Sequence, residues 1–234
     1  MQSNLAQLNN KDHKNTKLKV NQNFNHLANH HIAPVIMHEI PNAASDLPVV
    51  FVKNSENDDF LCVALLGLKE GENLLVKEGV WQGPFIPAGY THYPLALVPH
   101  PEDQNKYSIT IVTDSEAVSE SEGEALYDEE GKETEYLSKR RRTLENYYQC
   151  AVLTRNFIKM LQDLELLEEQ GFSFEVGEDK RNITGVYVVN EKKLNELSDE
   201  QFLDLRQKGL LAPIYAHLIS LKQTQRLVGR IATK

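Results

Sequence analysis

Eight histidines among 234 residues make metal chemistry the first possibility to weigh. His26, His30, His31 and His38 lie close together, with Glu39 directly after the last, and His26 and His30 have the i, i+4 spacing that shares a helix face. Pro41 and Asn42 follow His38-Glu39, so this is not the helical HExxH pair of a zinc hydrolase. A cupin-like iron site would need two histidines and a carboxylate converging from strands, a geometry that spacing does not reveal. The expectation is that no metal and no cofactor is bound.

Nucleophilic and phosphate chemistry leave no stronger trace. There is no G-x-S-x-G elbow, Cys62 has no local signature joining it to a distant histidine, and neither type of glycine-rich phosphate cradle occurs. The run Lys139-Arg140-Arg141-Arg142 carries no interleaved aromatics and sits in a chain of net charge −9, which repels a phosphate backbone, so nucleic acid is not expected as a partner. Ser115 to Glu135 holds nine carboxylates and one lysine, yet Asp128-Glu129-Glu130-Gly131 lacks the alternate ligand positions of a calcium loop. It reads as a solvated face that the following basic run neutralises. His217 is expected to be a hydrogen-bonded core histidine.

The remaining chemical signal is aromatic. Gly67 to Pro94 contains the only tryptophan, Trp81, in a stretch broken by Gly83-Pro84, Pro87 and Gly89. Two readings stand. Trp81 closes one end of a sheet as core, or Trp81, Phe85, Tyr90 and Tyr93 line a groove held open by the prolines and Gly89. A groove edged by phenol hydroxyls suits a peptide or a small aromatic ligand. His92 would add a contact that titrates near neutrality.

The same stretch resembles the bacterial SapC family. Gly71-Glu72-Asn73-Leu74, then Trp81, then Phe85-Ile86-Pro87-Ala88 leading to Tyr93-Pro94 follow its core pattern. Ala44-Ser45-Asp46-Leu47-Pro48-Val49-Val50-Phe51 upstream, Glu122 to Gly131 downstream, and the C-terminal Leu197-Ser198, Gly209-Leu210-Leu211 and Ala216-His217-Leu218 also fit. Thr91-His92 stand where members often carry two basic residues. The resemblance implies a binding or accessory protein with a surface-layer association. Its alternative implication is an enzyme or enzyme subunit that works beside a cupin-like hydroxylase or a flavin-dependent halogenase.

The elements that must position these residues point to an α+β fold: an antiparallel sheet, open or curled into a barrel, with one long packed helix and a C-terminal helical segment. Residues 1–23 are expected to form a flexible tail, and 24–234 a single domain. Phe60 to Leu66 is a short continuous apolar run, hence a buried strand. Asn73 to Lys77 and the residues before Trp81 form a hairpin turning at Glu78-Gly79. Ile32 to Met37, Pro48 to Lys53, Leu95 to Val98 and Tyr107 to Val112 are further strands, with loops over Asn54 to Asp59 and Pro99 to Asn105. Leu144 to Leu167 carries an apolar stripe at gaps of three and four (Cys150, Leu153, Phe157, Met160, Leu164, Leu167), with Gly171 placed to end the helix.

Phe172 to Val176 and Ile183 to Val189 are read as one hairpin. Ser198 and Gln201 form a capping box, Gly209 ends that helix, and Pro213 opens the last one. The two cysteines, Cys62 and Cys150, lie far apart and read as reduced core residues. No apolar run approaches the roughly 18 residues of a membrane span, and no secretory signal is visible, so a cytoplasmic location is expected.

Overall fold

A computed structural model describes residues 4–19, 23–54, 59–100, 103–177 and 179–232. They fall into two compact units, and the long helix Glu135–Asp163 contributes residues to both. The first comprises residues up to Asn23 and Ala88–Gln149, the second Phe24–Pro87 and Cys150–Lys234.

The second unit is built on a five-stranded antiparallel sheet in the order Leu167–Glu169, Val186–Val189, Val49–Lys53, Phe60–Leu65, Ile32–Pro34. Phe60–Leu65 is an interior strand, paired as Phe51↔Cys62 on one side and Ala33↔Ala64 on the other. That position explains the apolar run over Cys62–Leu65, which is buried on both faces, while Leu61 at the strand's start stays exposed. The sheet is open and does not close into a barrel, because Leu167–Glu169 and Ile32–Pro34 end it as separate edges. Phe157, Ile158 and Leu161 of the long helix are buried, and the Phe157 ring lies 6.4 Å from that of Phe51.

The long helix departs from its expected span at both ends. It begins at Glu135, because the Thr134 hydroxyl accepts from Leu137 N–H (3.2 Å) and caps it. It ends at Asp163, since Glu165 adopts a left-handed φ of 54° and residues from Leu167 pair with Val189 in the sheet. Gly171 therefore does not end it. Of the expected stripe, Leu153 is 47% exposed, and Thr154 takes the inward place beside Phe157. Phe172–Val176 pairs with Asp179–Ile183, not with Val186–Val189, which the central sheet takes instead.

The C-terminal helices follow the sequence signals closely. Ser198 accepts from Gln201 N–H, and Gln201 reaches back to Ser198 N–H (3.1 Å), closing the capping box of Asp199–Gln207. Gly209 (φ 71°) separates that helix from Leu211–Ser220. A short 3₁₀ turn then divides the expected single last helix into Leu211–Ser220 and Thr224–Ala232.

In the first unit the strands Leu95–His100 and Asp103–Val112 form a hairpin where a loop over Pro99–Asn105 is expected. Leu5–Gln7 adds a third strand along Asp103–Val112, and Lys17–Leu18 pairs with both Val118–Ser119 and Glu124–Ala125. Within the stretch expected to be a tail, Leu5–Gln7 and Lys17–Leu18 are thus strands of two different sheets. The reason is the fully buried Leu18, which packs with Ile109, Ile111, Leu126, Leu137 and Leu144 in this unit's core. Residues 55–58 of the turn expected over Asn54–Asp59 lie outside the described residues.

Candidate functional site

The expected groove residues divide between the two units, so each group is described within its own. In the second, Val76–Lys77 and Val80–Trp81 form a hairpin with Val76 opposite Trp81. Its two turn residues, Glu78 and Gly79, both take positive φ (51° and 78°), the backbone that a two-residue hairpin loop demands. The hairpin delivers Trp81 to an apolar interior: the indole is 8% exposed and its ring lies 5.8 Å from that of Phe24. Its Nε1–H donates to the Phe85 carbonyl (2.8 Å). A buried indole needs such an acceptor, and here the bond pins the turn that carries Gly83, Pro84 and the half-buried Phe85.

That turn forms one wall of an open cleft of about 640 Å³, lined by Asp46, Pro84, Gln225, Arg226, Gly229 and Arg230. Asp46 is only 2% exposed, on the chain just before the strand Val49–Lys53. Its Oδ1 lies 3.3 Å from Arg226 Nη1 and 3.5 Å from Arg230 Nη2. Those two arginines stand one helical turn apart on Thr224–Ala232. Arg226 Nη1 also donates to the Ser45 carbonyl (2.8 Å), and Arg230 makes longer contacts to the Gln82 carbonyl (3.4 and 3.5 Å). The other Asp46 oxygen, Oδ2, is buried without a hydrogen-bond partner. A Cβ at Gly83 would come within 2.5 Å of it and 3.1 Å of Trp81 Nε1, so only glycine fits between the carboxylate and the indole.

In the first unit Tyr90 and Tyr93 are half-buried and His92 is buried. Arg140 grips their segment, Nη1 donating to the Thr91 carbonyl (3.1 Å) and Nη2 to that of His92 (2.8 Å). The Tyr147 ring meets the His92 imidazole edge-on at 5.3 Å. Burial, with Arg140 beside it, pushes the His92 imidazole down to about 4. This corrects the expectation of a contact titrating near neutrality: His92 is neutral throughout the physiological range. Burial, reinforced by Tyr147, raises the Tyr90 phenol. Neither side chain changes charge at neutral pH.

Arg140 belongs to the basic run read as neutralising the acid block, and its neighbour Arg141 does so, by pairing with Glu133. Thr91-His92 lacks the basic pair, yet a cation still reaches that segment from the long helix. The N-terminal histidines do not gather: His26, His30 and His38 are exposed. Among the described residues no three His, Cys, Asp or Glu side chains converge as a metal would require. His217 is fully buried, with Nδ1–H donating to the Val49 carbonyl (2.8 Å) and Nε2 accepting from Val189 N–H (3.0 Å), the core role expected of it. Asp46, Arg226 and Arg230 are not singled out by residue type and spacing, and Arg140 stands out only as part of the basic run.

An open antiparallel sheet covered by a long helix and capped by short C-terminal helices defines the chain as an α+β protein. The SapC family model matches residues 8–227, and the chain belongs to that family. No curated protein and no solved structure matches it. No helix among the described residues is long and apolar enough to cross a membrane.

Proposed function

We propose that this SapC family member is a non-catalytic binding protein for a peptide or protein partner, and that the cleft beside the Gly83–Phe85 turn takes the ligand. The supporting observation is the composition of that cleft. Arginines, glutamine, proline and glycine line it, and its single carboxylate is already committed to an ion pair. Arginine does not release its proton at any accessible pH, so such walls hold and orient a charged partner but do not shuttle protons. The buried indole contributes by fixing the turn through the Phe85 carbonyl, and the half-buried Phe85 side chain, next to the lining residue Pro84, is proposed as a further contact. In the first unit Tyr90, Tyr93 and His92 are proposed as contacts of their own, held by Arg140 as a neutral, aromatic patch. A surface-layer-associated accessory role accords with the family.

The test is a displayed random-peptide library selected on the intact protein, with hits retitrated through Trp81 fluorescence. Because Trp81 is the only tryptophan and lies against the cleft wall, its emission reports occupancy directly. The expected outcome is a family of peptides whose affinity falls roughly tenfold in Phe85→Ala while the protein's melting transition is kept. Peptides whose binding ignores both Phe85→Ala and changes in the cleft would refute the assignment.

A further inference from the structure

We infer that the cleft is a carboxylate-recognition site, with Arg226 as the group that receives the ligand's carboxylate and Asp46 as the residue that positions it. The inference deepens the cleft reading above and rests on it. Two guanidinium groups face one carboxylate, so the cluster keeps a net positive charge inside a chain of net charge −9. A local excess of positive charge on an acidic molecule attracts an anion.

The geometry specifies how the anion is held. Arg226 spends only Nη1 on the protein, on Ser45 and Asp46, and among the described residues its Nε–Nη2 edge has no partner. That edge is the planar fork that fits a carboxylate with two parallel hydrogen bonds. Its side chain is 57% exposed, which leaves the fork within reach of a ligand. The buried Asp46 fixes the Nη1 side and so sets the direction of the fork.

Asp46 also carries an imbalance. Both cations lie on Oδ1, and Oδ2 is buried with no donor. A buried oxygen left without a donor calls for an explanation, and the Asp46 charge accounts for two like-charged arginines lying side by side on one helix face.

The rest of the lining favours a carboxylate on an apolar body over free phosphate. Pro84 offers an apolar wall, and a Cβ built at Gly229 meets nothing within 4 Å, so the helix surface between the arginines is open. A peptide C-terminus meets both requirements: an oxyanion at its end and apolar surface behind it.

The experiment uses the full chain and three probes, followed by calorimetry and by Trp81 fluorescence: N-acetyl-Ala-Ala-Phe as the free acid, the same peptide as its C-terminal amide, and inorganic phosphate. The acid is expected to bind roughly tenfold more tightly than the amide, the factor that a charge-assisted bidentate pair supplies. The preference should vanish in Arg226→Gln, a substitution at a half-exposed side chain that leaves Asp46 paired with Arg230. Gly229→Leu, which has space for its side chain, should fill the cleft and abolish binding of acid and amide alike with the melting transition retained.

Acid and amide binding equally, both lost in Gly229→Leu, would overturn the carboxylate assignment and leave the cleft reading standing. Binding of both untouched by Gly229→Leu would overturn the two together. Phosphate binding more tightly than the acid, no binding by any probe, or an acid preference that survives Arg226→Gln would each sink the inference.

Discussion

Lowering the pH should destabilise the second unit through His217 before its carboxylates titrate. The imidazole is fully buried between Leu211–Ser220 and the sheet, its ring 5.0 Å from that of Phe51. Burial lowers it to about 4, with the bond to Val49 pulling the other way. The tautomer is fixed by its partners: Nε2 must offer a lone pair to Val189 N–H, so protonation there would set two donors against each other. In the unfolded chain the same group titrates near 6.5. The unfolded state therefore binds the extra proton first, and stability is complete above pH 6.5 and lost as pH falls from there towards 4. Linkage over those two values gives a loss of about 2 kcal/mol between pH 7 and pH 5, a window in which ordinary carboxylates stay ionised.

Urea unfolding followed by Trp81 emission reads this unit, because Trp81 and His217 both belong to it. His217→Gln keeps one donor and one acceptor but cannot titrate. It is expected to be less stable at pH 7 by about 1–3 kcal/mol and to lose about 2 kcal/mol less than the parent between pH 7 and 5. The exposed His30, also lowered by partial burial and by His31, is present in both proteins and cancels in the difference. Identical pH dependence in parent and variant would refute the reasoning.

Two substitutions test the local architecture. Ser198→Ala should lower stability by about 1 kcal/mol through loss of the cap of Asp199–Gln207, read as a shifted urea midpoint with unchanged slope; an unmoved midpoint would count against the cap. Gly83→Ala should cost about 1–3 kcal/mol by overpacking, since its methyl would press on Asp46, Leu75 and Trp81; a fully stable variant would show that the turn yields freely.

Local signals were legible and long-range ones were not. The strand Phe60–Leu65, the turn at Glu78-Gly79 and the capping box at Ser198 each depend on a few neighbouring residues, and each stands where the pattern puts it. The start of the long helix was also written in the sequence, as Thr134 before Glu135, but the charges at Lys139–Arg142 masked the apolar periodicity there. Its end was not local: residues from Leu167 leave helical geometry because Val186–Val189 offers them a strand partner. The fate of residues 5–18 likewise turns on strands about a hundred positions away. Asp46 and Arg226 are 180 residues apart, and no spacing rule connects a lone aspartate before one strand to an arginine on the last helix.

Trp81 is a core residue that also braces the turn beside the cleft, and it is not among the residues that line the cleft. As an 8%-exposed side chain against Phe24 it is core, and as the donor to Phe85 it sets the position of the Gly83–Phe85 turn. Gly83 is squeezed between that indole and the Asp46 carboxylate, so the turn cannot shift without disturbing either. Asp46 in turn holds Arg226 and Arg230 at the cleft. The chain of contact runs from a buried hydrophobic ring, through one glycine and one carboxylate, to two cations on an open surface. Rigid aromatic support of this kind gives the arginines a fixed direction before a ligand arrives, and a preorganised fork loses less conformational freedom on binding than two unsupported side chains would. The aromatic residue that drew notice in the sequence thus acts on the cleft from beneath, through Gly83 and the Asp46 carboxylate that holds the two arginines.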